Sequence, residues 1–210
     1  MIMFRACAWL APLSLCGCAA SLLAPQPATT LYRLEGAAPL PVATDGAVVV
    51  RQTVRLTVNF ATGIDGDRLL TVRGRQAMYL KGARWIAPAP DLFSKAVEYG
   101  FARHAPEIMI VTATDRARNA SRILDVRIDH FEAAYSASAN ADAPPTVTLN
   151  GEARLLRANG TLVASWRVAS EAHAGRNNVG AIVDAFGLAT DACIDQLANE
   201  AASRIMAAPS

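Results

Sequence analysis

The stretch TVTLNGEARLLRANGTLVASWRVASEA, Thr146 to Ala172, decides how this chain folds. Asn159-Gly160 lies near its centre, between two runs that alternate apolar and polar residues. That pair is a strong short-range hairpin signal and predicts a two-residue type I′ turn. The turn sets a register. Leu155 opposes Ala164, Ala153 opposes Trp166, and Gly151 opposes Val168. These six share one face, and the small partners leave room for the indole. On the other face Glu152 opposes Arg167, a cross-strand charge pair worth roughly a few tenths of a kcal/mol. A hairpin with one apolar face must bury it against another layer.

Two segments can supply that layer. Downstream, Asn177 or Asn178 caps a helix running to about Met206. Its apolar stripe is Ile182, Val183, Phe186, Thr190, Cys193, Ile194, Leu197, Ala201 and Ile205. Cys193 on that stripe reads as a small buried hydrophobe. Arg204 in the last turn suits the helix dipole. Upstream, Asp91 is a candidate N-cap for a helix to about His104, ended by Pro106. Its stripe is Leu92, Phe93, Ala96, Val97, Gly100 and Phe101. Gly100 costs a helix about 1 kcal/mol relative to Ala, so a close backbone contact is expected there.

The remaining segments read as strands. They are Leu31 to Leu34, Ala47 to Val58, Leu69 to Val72, Ala77 to Leu80, a buried Ile108 to Thr112, and Ile123 to Tyr135. Gly63 to Asp67 and Gly74 mark turns, while Thr112–Ala120 and Ser136–Pro145 read as loops. In Ile123 to Tyr135, simple alternation puts Leu124, Val126, Ile128 and His130 on one face. Asp125, Arg127, Asp129 and Phe131 take the other. The order is strands, helix, strands, long hairpin, helix. The fold class is α/β: a mixed β-sheet covered by two main amphipathic helices, with one long β-hairpin.

The chain offers little catalytic chemistry. It has no Gly-x-Ser-x-Gly elbow, no His-Glu-x-x-His, no Gly-x-Gly-x-x-Gly, no P-loop and no Cys-x-x-Cys. His104, His130 and His173 are scattered, whereas a hydrolase or metal enzyme needs a convergent cluster. Asp125, Asp129 and His130 are the best candidate group. Alternation splits them between faces, which gives a solvated acidic face and one core histidine rather than a metal site. His173 and Arg176 lie on a loop with no specifying pattern. A formal charge of +2 does not point to nucleic acid. Asn119-Ala-Ser and Asn159-Gly-Thr are formal glycosylation sequons with no further pattern around them. Arg51, Arg55, Arg68, Arg73, Arg75, Lys81 and Arg84 make residues 51–84 locally basic against Asp65 and Asp67. Such a region can meet anionic lipid or an acidic partner, or can simply be a set of solvated strand charges.

The N-terminal residues carry a targeting pattern. Arg5 gives a positive n-region and Ala6 to Leu15 an apolar h-region, too short for the roughly 20 residues of a spanning helix. Leu15-Cys16-Gly17-Cys18 then resembles the bacterial lipobox, whose cysteine is acylated and becomes the first mature residue. Small Gly17 precedes Cys18, whereas bulky Leu15 precedes Cys16, so Cys18 is the expected lipidation site and Gly17–Cys18 the cleavage bond. Ala19 after the cysteine, rather than Asp, implies sorting to the outer membrane. The alternative is an ordinary secretory signal with an incidental cysteine. The expected organisation is a lipoprotein signal peptide over 1–17, a lipidated tether over 18–30 and a single α/β domain over 31–206. Ala19 to Thr30 is small and Pro-containing, and reaches about 35–40 Å at about 3.3 Å per residue. With Cys7 and Cys16 in the signal and Cys18 lipidated, Cys193 stands alone and no intrachain disulfide framework is available.

Several segments together resemble the ABC-type transport auxiliary lipoproteins, the paraquat-inducible protein C-like group. Asp67-Arg68 leads into Leu69-Leu70-Thr71-Val72-Arg73. Ala83-Arg84-Trp85, Pro88 and Leu92-Phe93 follow. The hairpin with Asn159-Gly160 at its tip and the terminal helix complete the pattern. The resemblance covers roughly residues 30–206. It departs at Asn59-Phe60-Ala61-Thr62-Gly63, where family members often carry a proline-containing segment. It implies a non-catalytic, periplasm-facing outer-membrane lipoprotein, with no cofactor beyond the covalent lipid on Cys18. It implies service to an ABC transporter with a mammalian-cell-entry (MCE) domain protein, moving lipid between membranes, and a homo-oligomer of the kind that docks the MCE component. Two other readings stay open: another envelope assembly or scaffold lipoprotein, and a periplasmic hydrolase or ligand binder.

Overall fold

The computed structural model describes residues 28–34, 52–112, 120–137, 140 and 142–207. In chain order the elements are β1 (Thr30–Tyr32), β2 (Gln52–Phe60), β3 (Arg68–Arg73), β4 (Gln76–Trp85), α1 (Ala89–His104), β5 (Ile108–Val111), β6 (Arg122–Tyr135), β7 (Thr146–Arg157), β8 (Leu162–His173) and α2 (Val179–Ala207). They form one mixed eight-stranded sheet with both helices packed on it. The expected fold class is the observed one.

β6 is the spine of the sheet. Along one edge it pairs antiparallel with β7 from Arg122 to Ala134, and β8 continues outward from β7. The other edge is shared. β2 lies parallel to Arg122–Ile128, and β3 lies parallel to Glu132–Tyr135. The sheet therefore forks: β5 flanks β2, while β4 and then β1 flank β3. β5 is an edge strand in which only Ile108 is buried and Met109 is exposed. This corrects the expectation of a buried strand there, because β5 pairs with β2 alone.

A β-bulge sits at the fork. Ile128 pairs with Gly151 and His130 with Asn150, so Asp129 is the extra residue. A bulge reverses the facing of everything beyond it. Phe131 therefore turns into the core and His130 turns out to solvent, the opposite of simple alternation. Gly151 makes this possible, since a Cβ there would lie 1.9 Å from the Arg127 carbonyl oxygen. Once inside, Phe131 becomes the hub of an aromatic cluster. Its ring centroid lies 4.8 Å from Phe186, 5.7 Å from Phe60 and 6.0 Å from Trp85. Phe93 joins through Phe60 at 5.6 Å. Both helices and both branches of the fork meet in these five rings.

The hairpin keeps its expected pairs: Leu155–Ala164, Ala153–Trp166, Gly151–Val168 and Glu152–Arg167. Its tip differs. The Gly160 N–H donates to the Arg157 carbonyl at 2.9 Å, and the Arg157 N–H donates to Thr161 at 2.8 Å. The loop is therefore three residues, Ala158-Asn159-Gly160, with Gly160 at φ +85°. A three-residue loop places glycine at its left-handed corner. It also shifts the pairing by one, so that Leu156 meets Leu162. Val163 is then the extra residue that restores the expected register at Leu155–Ala164.

The helices follow their stripes. In α2, Ile182, Phe186, Thr190, Cys193, Ile194, Leu197, Ala201 and Ile205 are buried. Asn178 is the cap: its Oδ1 accepts the Ala181 N–H at 2.9 Å. α1 begins three residues earlier than expected, with Pro88 at the N-cap and Asp91 in the first turn. Pro90 is already shaped for a first helical turn, so the helix starts ahead of Asp91. Gly100 meets α2 directly, where an added Cβ would lie 2.2 Å from Ile194 Cγ2. Beside this contact Asp195 of α2 binds Arg103 at 2.9 Å and His104 at 2.8 Å.

Candidate interaction surface

Asp67, Arg84 and Trp85, which stand in the segments that carry the resemblance, build a clasp. The Trp85 N–H donates to the Asp67 carbonyl at 2.7 Å, and Arg84 pairs with the Asp67 carboxylate at 3.0 Å. The Ala89 N–H, at the start of α1, donates to the Gly66 carbonyl at 3.0 Å. Trp85 and Phe93 are buried in the aromatic cluster. Their role is to fix the β4–α1 corner against the loop after β2. The departing segment Asn59–Gly63 lies in this corner. Phe60 enters the core cluster, the Ala61 N–H donates to Ile128, and the Gly63 carbonyl accepts the Tyr79 hydroxyl at 3.2 Å.

Beyond the clasp, the β3–β4 hairpin runs beside the end of β6, with β4 as the edge strand from Gln76 to Gly82. Gln76, Ala77, Met78, Tyr79 and Lys81 of β4 are all exposed, while Thr71 of β3, the partner of Met78, is buried. Met78 is 61% exposed and Tyr79 37%. Arg68 stacks on the Tyr79 ring at 3.7 Å, and Arg73 on the Tyr135 ring at 4.9 Å. Partial burial raises the Tyr135 phenol above its ordinary value, and Arg73 opposes the rise. The Tyr135 hydroxyl donates to Asn177 at 2.8 Å, just ahead of α2. A groove of about 380 Å³ runs between these elements, with Val72, Met78 and Leu80 along it and Arg73 and Lys81 at its rim. Sequence reading marked the cations here but missed Met78, Tyr79 and Tyr135. Alternation marks one-sided burial, and β4 has none from Gln76 to Tyr79.

The other sequence candidates do not converge. Gly17, Cys18, Ala19 and Arg51 lie outside the described residues. Asp125 pairs with Arg154 and Asp129 with Arg127, at 2.8 Å for the second pair. His130 is exposed rather than in the core, because of the bulge, and lies 3.4 Å from Glu132. It lines an open groove of about 530 Å³ on the polar face with Asp129, Glu152 and Arg167. His104 sits at the α1–α2 contact, and His173 bonds Thr146 at the far end of β8. Arg176 is exposed. Among the described residues no group of three or more His, Cys, Asp or Glu is placed to hold a metal ion. Cys193 is buried in α2, and burial pushes its thiol up to about 12. No helix among the described residues is long and apolar enough to cross a membrane.

Comparison with known proteins places this architecture. A family model described as the ABC-type transport auxiliary lipoprotein component matches residues 32–202. No curated protein matches the sequence. A crystal structure of a Xanthomonas campestris protein is similar, at TM-score 0.67 and 20% identity, over 85% of this chain and 95% of that one. A second crystal structure, of an uncharacterized protein, is similar at TM-score 0.63 and 12% identity, over 83% and 99%. At these identities the two structures show a shared fold.

Proposed function

We propose a function from the premise that this chain belongs to the ABC-type transport auxiliary lipoprotein component family. The protein is a non-catalytic accessory that docks the subunits of an ABC transport system at the periplasmic face of the outer membrane. Its system is of the MCE type and moves lipid between membranes. The observation that carries this reading is the family match, which spans nearly all of the folded domain. Cys18 is the lipidated residue, cut from its signal after Gly17, with Ala19 directing outer-membrane sorting. The signal covers 1–17, the tether 18–30 and the single domain 31–206.

Anchoring physics supports a docking role. One acyl chain gives marginal, reversible membrane binding, and two or more hold stably, at about 0.8 kcal/mol per buried methylene. A multiply acylated Cys18 would keep the body at one membrane, where partners come to it. The three histidines bond to different partners, His104 to Asp195, His130 to Glu132 and His173 to Thr146, and the helices cover an apolar core, an arrangement better suited to contact than to turnover.

The test is an affinity pull-down from detergent-solubilised envelopes with wild type and Cys18→Ser. Recovery of an MCE-domain protein and ABC subunits with wild type is the expected result. Loss with Cys18→Ser means that anchoring is required, and retention means that the folded body alone makes the contact. Recovery of no transporter component with either version would sink the reading and favour another envelope scaffold.

A further inference from the structure

We propose that the exposed end of the β3–β4 hairpin, Arg73 to Lys81, is the surface this protein lays on an anionic lipid membrane. Met78 enters the headgroup region, and Arg75 and Lys81 meet lipid phosphates. The inference rests on the lipid-anchor reading of Cys18 and adds to it an orientation of the folded body.

Charge and exposure supply the first argument. From Arg68 to Pro90 the chain carries five basic side chains and no acidic one. Arg84 is committed to Asp67, but Arg75 and Lys81 make no ion pair among the described residues. Beside them stand an exposed thioether and a phenol ring, the amphipathic mixture that suits a membrane interface. Basic groups near an anionic leaflet are attracted within a Debye length of it.

Topology supplies the second. β1 runs parallel to β4, with Thr30 paired to Ala83 and Tyr32 to Trp85. The N-terminal end of β1 therefore points toward Gln76 and the turn at Gly74. From the level of Ala83 to that of Gln76 the strand covers about 23 Å. The segment from Ala19 to Thr29 reaches about 36 Å. A chain that leaves β1 in this direction brings an acylated Cys18 to a membrane in contact with the hairpin, with length to spare. The opposite end of the sheet carries the Asn159–Gly160 tip, because Arg157 pairs with Arg122 at the start of β6 while Arg73 pairs with Tyr135 at its end. Leu162, 55% exposed beside that tip, is thus an apolar control that faces away from the membrane. An acidic protein face would satisfy the cations equally well, but it would not account for the tether's exit on the same side.

The test uses the full-length lipoprotein on vesicles of phosphatidylglycerol and phosphatidylcholine containing brominated lipid. A fluorophore is attached at Met78→Cys in one protein and at Leu162→Cys in another. Cys193 is buried and does not compete for the label. The expected result is bromine quenching at 78 and none at 162. Adding Arg75→Glu and Lys81→Glu should abolish quenching at 78 while the protein still floats with the vesicles and melts at an unchanged temperature. Quenching that is equal on pure phosphatidylcholine would overturn the electrostatic part. A label at 78 that stays in water while the protein floats would overturn the proposal and leave the hairpin to an acidic protein partner. Failure to float would instead reject the lipid anchor itself.

Discussion

Cys193 shows how fully the core closes over a group that would otherwise react. Its place on the α2 stripe was legible in the sequence, because a helix of period 3.6 fixes which side chains point inward. The structure adds the consequence. Burial disfavours the thiolate and pushes the thiol up to about 12 from an ordinary value of 9.0. The sign follows from proton counting. Between about pH 9 and about pH 12 the unfolded chain loses this proton while the folded chain keeps it. The folded state then binds more protons, so stability falls as pH rises through that window and is unaffected by this group below it. Cys193→Ala should cost about 1 kcal/mol at neutral pH and should remove this part of the alkaline decline. Urea unfolding of both proteins at about pH 8 and about pH 10.5 measures it. Parallel declines in the two proteins would show that the thiol is not the group responsible. Native Cys193 should also resist thiol reagents that label it readily in urea.

Strands and helices show where pattern reading works and where it stops. The β7–β8 register was legible because one wholly apolar face admits only one pairing. The tip was not, because the same Asn-Gly pair serves two-residue and three-residue loops, and the Val163 bulge hides the difference further down. The bulge in β6 was missed because Asp129-His130 is a polar pair that alternation assigns either way. The signal lay on the neighbouring strand: a glycine inside a strand marks close backbone approach. Gly151→Ala tests this. Its Cβ would meet backbone that cannot swing aside. The variant should lose about 3 kcal/mol or more and lose near-ultraviolet dichroism as Phe131 leaves the aromatic cluster. A loss below about 1 kcal/mol would mean that the bulge can relocate at little cost. Gly100 is the helical counterpart. Gly100→Ala gains about 1 kcal/mol of helix propensity but overpacks Ile194, at a cost of about 1–3 kcal/mol. It should be net destabilising in the wild type and stabilising in an Ile194→Ala background, where the obstructing methyl is gone. Additive effects in that double-mutant cycle would place the strain elsewhere.

Over the whole molecule, stability and function separate along the sheet. The fork at Asp129 divides a closed region from an open one. β6 from Leu124 to Ile128 is paired on both edges, lies under the helices and holds the centre of the core. Its amides can exchange with solvent only through nearly global opening. From Gln76 to Gly82 β4 is an edge strand, paired with β3 alone because β1 reaches only Ala83–Trp85, so local opening should release it at a small fraction of the global free energy. Hydrogen exchange followed by mass spectrometry should therefore show peptides spanning residues 74–82 exchanging orders of magnitude faster than those spanning 124–128. This contrast also bears on function. A surface that must settle against another body gains from lying on a segment that can adjust without loosening the core. If the hairpin is that surface, its amides alone should slow on anionic vesicles, while those of β6 and α2 stay unchanged. Equal protection of the hairpin and β6 in free solution would show that the hairpin is held as rigidly as the core, and the division of the sheet into a stable spine and an adjustable arm would fail.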